Sequence, residues 1–214
     1  MIKKEDIERA ITLFKEWDFQ HTWKTPSPAF IAHTKHKSEN ALKTAQYILK
    51  IMEDQEMRHL FNAEDYNGTL WIINSSYYRI LFLGQYLLAL DGKKLPDHTE
   101  DSHKTTQLAI MYYFIIKGSG LESKKNLCWE DIKESRFSKV LELMVEAEEE
   151  AQELTQQKAK RVVEYFDEER TKRHEFTYAM LVDAELSKAR TSIDRAIKFG
   201  DLIKEFIRIK KWAT

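Results

Sequence analysis

The chain holds one cysteine, Cys128, among 214 residues. An intrachain disulfide is therefore excluded, and a reducing compartment fits. Proline and glycine are scarce, at 3 and 6 residues, so tight turns are few and helices must be long. Charge of one sign is lacking as well. The 34 basic residues stand against 35 acidic ones, which removes a general electrostatic pull toward nucleic acid and leaves only local patches to supply one. No long hydrophobic run exists: the most apolar stretch, Ile80–Leu90, is about half of what a bilayer span requires. The opening "MIKKEDIERAITLF" is charged and amphipathic, without the apolar block of a secretory signal. Fixed-length repeats and low-complexity tracts are missing too. The expectation is a soluble cytoplasmic protein with no membrane contact.

What is present reads as helix. Ile7, Ala10, Ile11 and Phe14 share one side of a segment spanning residues 4–17. The proline-bearing "WDFQHTWKTPSPAF" then reads as a connector whose aromatics pack on the body. Ala41, Ala45, Ile48, Leu49 and Met52 carry a helix over about Ala32–Met57. Thr69–Leu90 is apolar nearly all round, the mark of a central helix, with Tyr78, Leu81, Phe82, Gln85, Leu88 and Ala89 as its expected core face. Ser102 is placed to cap a helix over His103–Lys117 that buries Leu108, Met111, Tyr112 and Ile115 and ends at "GSG". Trp129–Trp212 contains no proline and one glycine. Within it, Phe137, Val140, Met144, Ala147 and Leu154 line one stripe. Val182, Leu186, Ala189, Ile193, Ala196, Gly200, Ile203 and Ile207 line another, at bundle spacing. Ala189, Ala196 and Gly200 would let a neighbouring helix come close, which points to a homodimer. The predicted fold is all-α: an N-terminal helix and connector over residues 1–31, then an up-and-down helical bundle over residues 32–214.

The chemistry is less explicit. Phosphate-binding glycine loops, paired cysteines, H-E-x-x-H and G-x-S-x-G are all absent. His33 and His36 stand three apart, but Lys35 and Lys37 oppose a cation, so no metal or cofactor is expected. In "SSYYR", Tyr78 needs a partner for its hydroxyl, and Arg79 must snorkel or meet an acid. His103 opens a helix, where a neutral imidazole fits. The densest candidate is "ERTKRHEFTY". Glu168 with Lys172, and Glu169 with Arg173, form ordinary ion pairs of a wet helix face. Arg170, His174 and Tyr178, at i, i+4 and i+8, share a different face. Such a ladder can clamp a phosphate with the guanidinium, move a proton with the imidazole and donate or stack with the phenol.

Taken in order, "SENALKTAQYIL", "SSYYRILFLGQYLLAL", "SHKTTQLAIMYYF", "RTKRHEFTY" and "AELSKARTSIDRAIKFGDLIKEF" resemble the HEPN superfamily of small helical bundles, over roughly Ala32–Phe206. The nearest likeness is to the branch with a Tyr-Tyr pair in one helix and a Ser-His-Lys at the start of the next. The resemblance implies a four- or five-helix bundle, commonly a homodimer. Many such proteins are metal-independent RNases with an Arg and a His four to six residues apart. Others bind RNA or nucleotides, or partner a minimal nucleotidyltransferase in toxin–antitoxin or defence settings. The matching pair here is Arg170 and His174, with only three residues between them and Thr171 after the Arg. In such an RNase His174 would exchange the proton and Arg170 would stabilise the phosphorane. A second histidine, from a dimer mate or His103, would share the acid–base work. Tyr178, His103, Arg79 and Tyr78 are the ligand-binding candidates. The resemblance favours a binding or partner role, with the RNase and a plain helical assembly protein as alternatives.

Overall fold

The computed structural model describes residues 2–60, 67–124, 126–135, 137–168 and 177–212, with side chains described outside 154–185 and 210–212. Among the described residues eight α-helices follow one another: α1 Lys4–Gln20, α2 Pro28–Glu53, α3 Gln55–Leu60, α4 Thr69–Leu90, α5 Ser102–Ile110, α6 Trp129–Lys133, α7 Ser138–Glu168 and α8 Thr177–Trp212. Among the described residues there is no strand, only one antiparallel bridge between Lys24 and Lys94. None of these helices is long and apolar enough to cross a membrane. The expected all-α bundle is the observed architecture.

Local chemistry sets the boundaries, and it moves several from where periodicity put them. α2 starts four residues before the expected Ala32, because the Ser27 hydroxyl accepts from the Phe30 N–H at 3.1 Å and Pro28 takes the first turn, where its missing N–H costs nothing. The expected run to Met57 breaks at Asp54. Its carboxylate accepts from the Met57 N–H at 3.1 Å and so starts α3. α5 is capped by Asp101, not Ser102: the Asp101 carboxylate accepts from the Lys104 N–H at 3.2 Å. Beyond Ile110 the helix widens into a π-helical segment, Met111–Ile116, all six of whose residues are buried. α1 runs three residues past the expected end and closes on His21 in the left-handed conformation, φ 52°.

α4 is the central helix. It lies antiparallel to α2, with Lys37 over the Phe82 ring and Ser38 against Arg79. Gly84 lets α5 and α7 close on it, since a methyl group there would come within 3.3 Å of both Thr106 and Met144. The small residues of α8 are spent inside the chain: Ala189 packs with Ile72 and Ala45, and Gly200 sits against Arg79 and Leu83. That seam therefore faces α4, and a homodimer would need another surface. Arg195 of α8 pins α7 at two points one turn apart, reaching Glu146 at 3.2 Å and Glu150 at 2.5 Å.

The core face expected for α4 is half right. Leu81, Leu88 and Ala89 are buried, whereas Tyr78 is 42% exposed and Phe82 and Gln85 are half-buried. A helix apolar all round gives periodicity no preferred side. The neighbours settle on Ile72, Ile80, Leu83 and Leu87 instead. This leaves Trp71 and Tyr78 facing solvent on the remaining stripe.

The N-terminal helix is part of the same core. Ile7, Ala10 and Phe14 are wholly buried among residues of α5 and the π segment. The Phe14 ring stacks on Trp23 and Tyr112, at 5.6 and 5.8 Å between centroids. The connector is thereby fastened, as its aromatics predicted, and the Trp23 indole N–H donates to the Tyr113 hydroxyl at 2.7 Å.

Candidate functional site at the junction of α4, α5 and α7

Two short sequence features, the Tyr-Tyr pair of α4 and the histidine opening α5, meet at one place. Tyr77 and Tyr78 project from α4 beside Asn74, and Asp101 and His103 face them from the start of α5. Glu148 and Gln152 close the third side from α7. The open cleft they line measures about 500 Å³, within the range of small-molecule sites.

The hydrogen bonding is connected rather than piecemeal. The Tyr77 hydroxyl lies 2.9 Å from His103 Nδ1. Burial, then the negative charges of Glu148, Tyr78 in its ionised form and Asp101, pushes the Tyr77 phenol well above its ordinary value. A phenol that keeps its proton can donate it to Nδ1, and His103 then carries its own hydrogen on Nε2. His103 is also packed between rings: Tyr77 lies tilted at 5.6 Å and Tyr78 edge-on at 5.9 Å. Tyr78 in turn stacks on Phe82 at 5.8 Å.

Glu148 is held from both sides. The Gln107 side-chain amide donates to one carboxylate oxygen at 3.1 Å, and the Gln152 amide to the other at 3.4 Å. Gln107 is itself oriented by Lys104, whose ammonium donates to its oxygen at 3.2 Å and pairs with Asp6 of α1 at 3.2 Å. The carboxylate is thus fixed by a chain of contacts reaching back to the N-terminal helix. Neither oxygen is saturated, since each can accept more than one hydrogen bond.

The candidates named from sequence separate into three groups. Tyr78 and His103 belong to the cleft. Arg79, the next residue, points the opposite way into the α2–α4–α8 core, where it is 8% exposed and donates to the Ser38 hydroxyl at 2.8 Å. It meets a serine where an acid or water was expected. Burial draws the guanidinium below its ordinary value, while Glu39 and Asp201 pull it back. Arg170 and His174 lie outside the described residues, and Tyr178 falls in the first turn of α8, where side chains are not described. His33 is exposed, and His36 pairs with Asn40 at 3.0 Å. Ser102 faces a separate cavity of about 130 Å³ with Gln85, Lys93 and Lys94. Those lysines are already engaged, with Asp91 at 2.5 Å and Asp97 at 2.9 Å.

Sequence reasoning did not name Asp101, Glu148 or Gln152. Glu148 lies in the acidic run "EAEEEAQEL", where five carboxylates look alike. The one signal available was phase: Glu148 follows Met144 by four residues and so sits on the edge of the buried stripe of α7.

The cleft offers acceptors on two carboxylates, donor–acceptor pairs on two amides, an imidazole, and aromatic walls. No lysine or arginine lines it. Such a site suits a flat polar ligand that brings hydrogen-bond donors, and it repels a phosphate placed deep inside. No family model, curated protein or solved structure matches this chain.

Proposed function

We propose that this chain is a HEPN-like helical bundle that binds RNA or a nucleotide without needing to cleave it, and that the α4–α5–α7 cleft is where it does so. The observation that carries the reading is convergence. The Tyr-Tyr pair and the Ser-His-Lys helix start are the two features that mark the nearest branch of the HEPN resemblance, and Tyr77 and His103 from them share a hydrogen bond at 2.9 Å in one cleft. Tyr78 stands 42% exposed beside that bond, at the edge of the cleft. An exposed ring at a cleft mouth is a stacking surface for a base, worth about 1–3 kcal/mol per base.

The test is equilibrium binding of short single-stranded RNA in EDTA, with RNA integrity followed in the same samples. Tyr78→Ala and His103→Ala are each expected to weaken binding about tenfold or more, with the wild-type RNA left intact. Unchanged affinity in both variants would remove the cleft from the reading. Cleavage by wild type that disappears in Arg170→Ala and His174→Ala, but persists in Lys172→Ala, would replace it with the metal-independent RNase.

A further inference from the structure

The walls of the cleft go further than a general affinity for nucleotides. Among the described residues lining it there are two carboxylates, Asp101 from the start of α5 and Glu148 from α7, and no lysine or arginine. A carboxylate only accepts hydrogen bonds. A ligand seated against these two must present N–H groups to them, and must keep its own oxygens elsewhere. We propose that the cleft selects bases carrying an exocyclic amino group, cytosine, adenine and guanine, over uracil, with the amino edge against Glu148 and the phosphate left in solvent at the mouth; this rests on the RNA- or nucleotide-binding reading above.

Cytosine and uracil make the comparison sharp because they have nearly the same shape. At one edge position cytosine offers an amino group where uracil offers a carbonyl oxygen. In front of Glu148 the amino group gains a charge-assisted hydrogen bond, while a carbonyl at the same position meets a like-signed oxygen. Discrimination requires that the carboxylate not swing away. Here the Gln107 and Gln152 amides hold its two oxygens, at 3.1 and 3.4 Å, and Lys104 fixes Gln107 in turn. The Tyr77 hydroxyl lies 2.9 Å from His103 Nδ1, a partner other than the carboxylate. Tyr78, exposed at the rim, provides a face on which either base can stack. Stacking therefore supplies affinity, and Glu148 supplies choice.

The experiment measures the affinities of short oligocytidylate, oligoadenylate and oligouridylate of equal length for the full chain, together with free cytidine and uridine. Wild type is expected to bind the cytosine and adenine ligands about tenfold or more tightly than the uracil ones. Glu148→Gln keeps the shape but adds a donor, so it should shrink the cytosine-to-uracil ratio to within about threefold. Asp101→Asn preserves the helix cap and serves as a second variant whose folding is secure. It should lower the same ratio by a smaller factor, because Asp101 is the more exposed of the two carboxylates. Equal binding of oligocytidylate and oligouridylate by wild type would overturn the selection while leaving nucleotide binding standing. A wild-type preference that survives undiminished in both variants would overturn the role of the carboxylates. Failure of all the RNAs and nucleosides to bind would overturn the binding reading itself and the selection with it.

Discussion

Arg79 is the side chain whose burial has the least to offset it. It is 8% exposed, donates to Ser38 at 2.8 Å, and its Nε has no hydrogen-bond partner. Among the described residues no carboxylate lies within ion-pair distance of it. Ser38 is wholly buried and does two jobs: its hydroxyl accepts from Arg79 and donates to the Lys35 carbonyl at 2.6 Å. Gly200 makes room for the guanidinium: an added Cβ would stand 2.8 Å from Arg79 Nη2, so the guanidinium would have to shift. A buried charge that lacks a counter-charge often contributes nothing net, whereas stripping away its remaining partner leaves it worse off. Ser38→Ala should therefore cost about 1.5–3 kcal/mol. Arg79→Met, which removes the charge and keeps the bulk, should stay within about 1 kcal/mol of wild type or exceed it. Urea denaturation of both variants checks the ordering. A loss in Arg79→Met larger than in Ser38→Ala would mean that the guanidinium is a net stabiliser through Glu39 and Asp201.

At the scale of elements, the connectors after α1 and α4 are tied to each other. Lys24 and Lys94 exchange two backbone hydrogen bonds, at 3.1 and 2.9 Å. Asp97 joins both of their ammonium groups, at 2.8 and 2.9 Å. Those hydrogen bonds, Lys24 first and then Lys94, hold the Asp97 carboxyl down at about 2. In the unfolded chain an aspartate titrates near 3.9. The folded value is the lower one, so the stabilisation is fully present above about pH 4 and is lost as the pH falls through about 2. Asp97→Asn should accordingly lower the urea midpoint at neutral pH. The gap from wild type should narrow below about pH 4 and close near pH 2. Because the clamp is exposed, the effect should also fade in high salt. A gap that is the same at every pH would assign the effect to the amide substitution rather than to the charge.

For the whole molecule, the N-terminal helix decides how much of the chain folds as one. Phe14 is fully buried, packed on Trp17, Trp23, Tyr112 and Tyr113. Asp18 accepts from the Tyr113 hydroxyl and pairs with Lys117 at 3.0 Å. Phe14→Ala should cost about 3–5 kcal/mol, a large share of the total stability of a typical domain. Removal of residues 1–20 would bare the π segment and should abolish a cooperative thermal transition. Calorimetry of the shortened chain checks this. A sharp transition near the wild-type temperature would show that the remaining helices close a core without α1.

Composition and periodicity alone determined the helical class, the span of α4, the buried residues Leu108, Met111, Tyr112 and Ile115, and the stripe centres Val140, Met144 and Ala147 of α7 and Ala189, Ile193, Ala196 and Ile203 of α8. These depend on local spacing and on the scarcity of helix breakers. Phe137, Leu186 and Ile207 are half-buried, and Leu154 and Val182 lie outside the described side chains. Caps were legible in kind but not in place: Asp54 and Asp101 won because their carboxylates reach a free backbone N–H, a matter of ångströms rather than of residue type. The site divides along the same line. Tyr78 and His103 could be named from sequence, because each belongs to a short conspicuous stretch. That they face Glu148 and Asp101, while Arg79 turns to Ser38, was decided only by how four helices pack. One residue along a helix turns the side chain by about 100°. Neighbours in sequence, Tyr78 and Arg79, therefore end on different sides of α4, and the tertiary contacts choose which side is core and which is cleft.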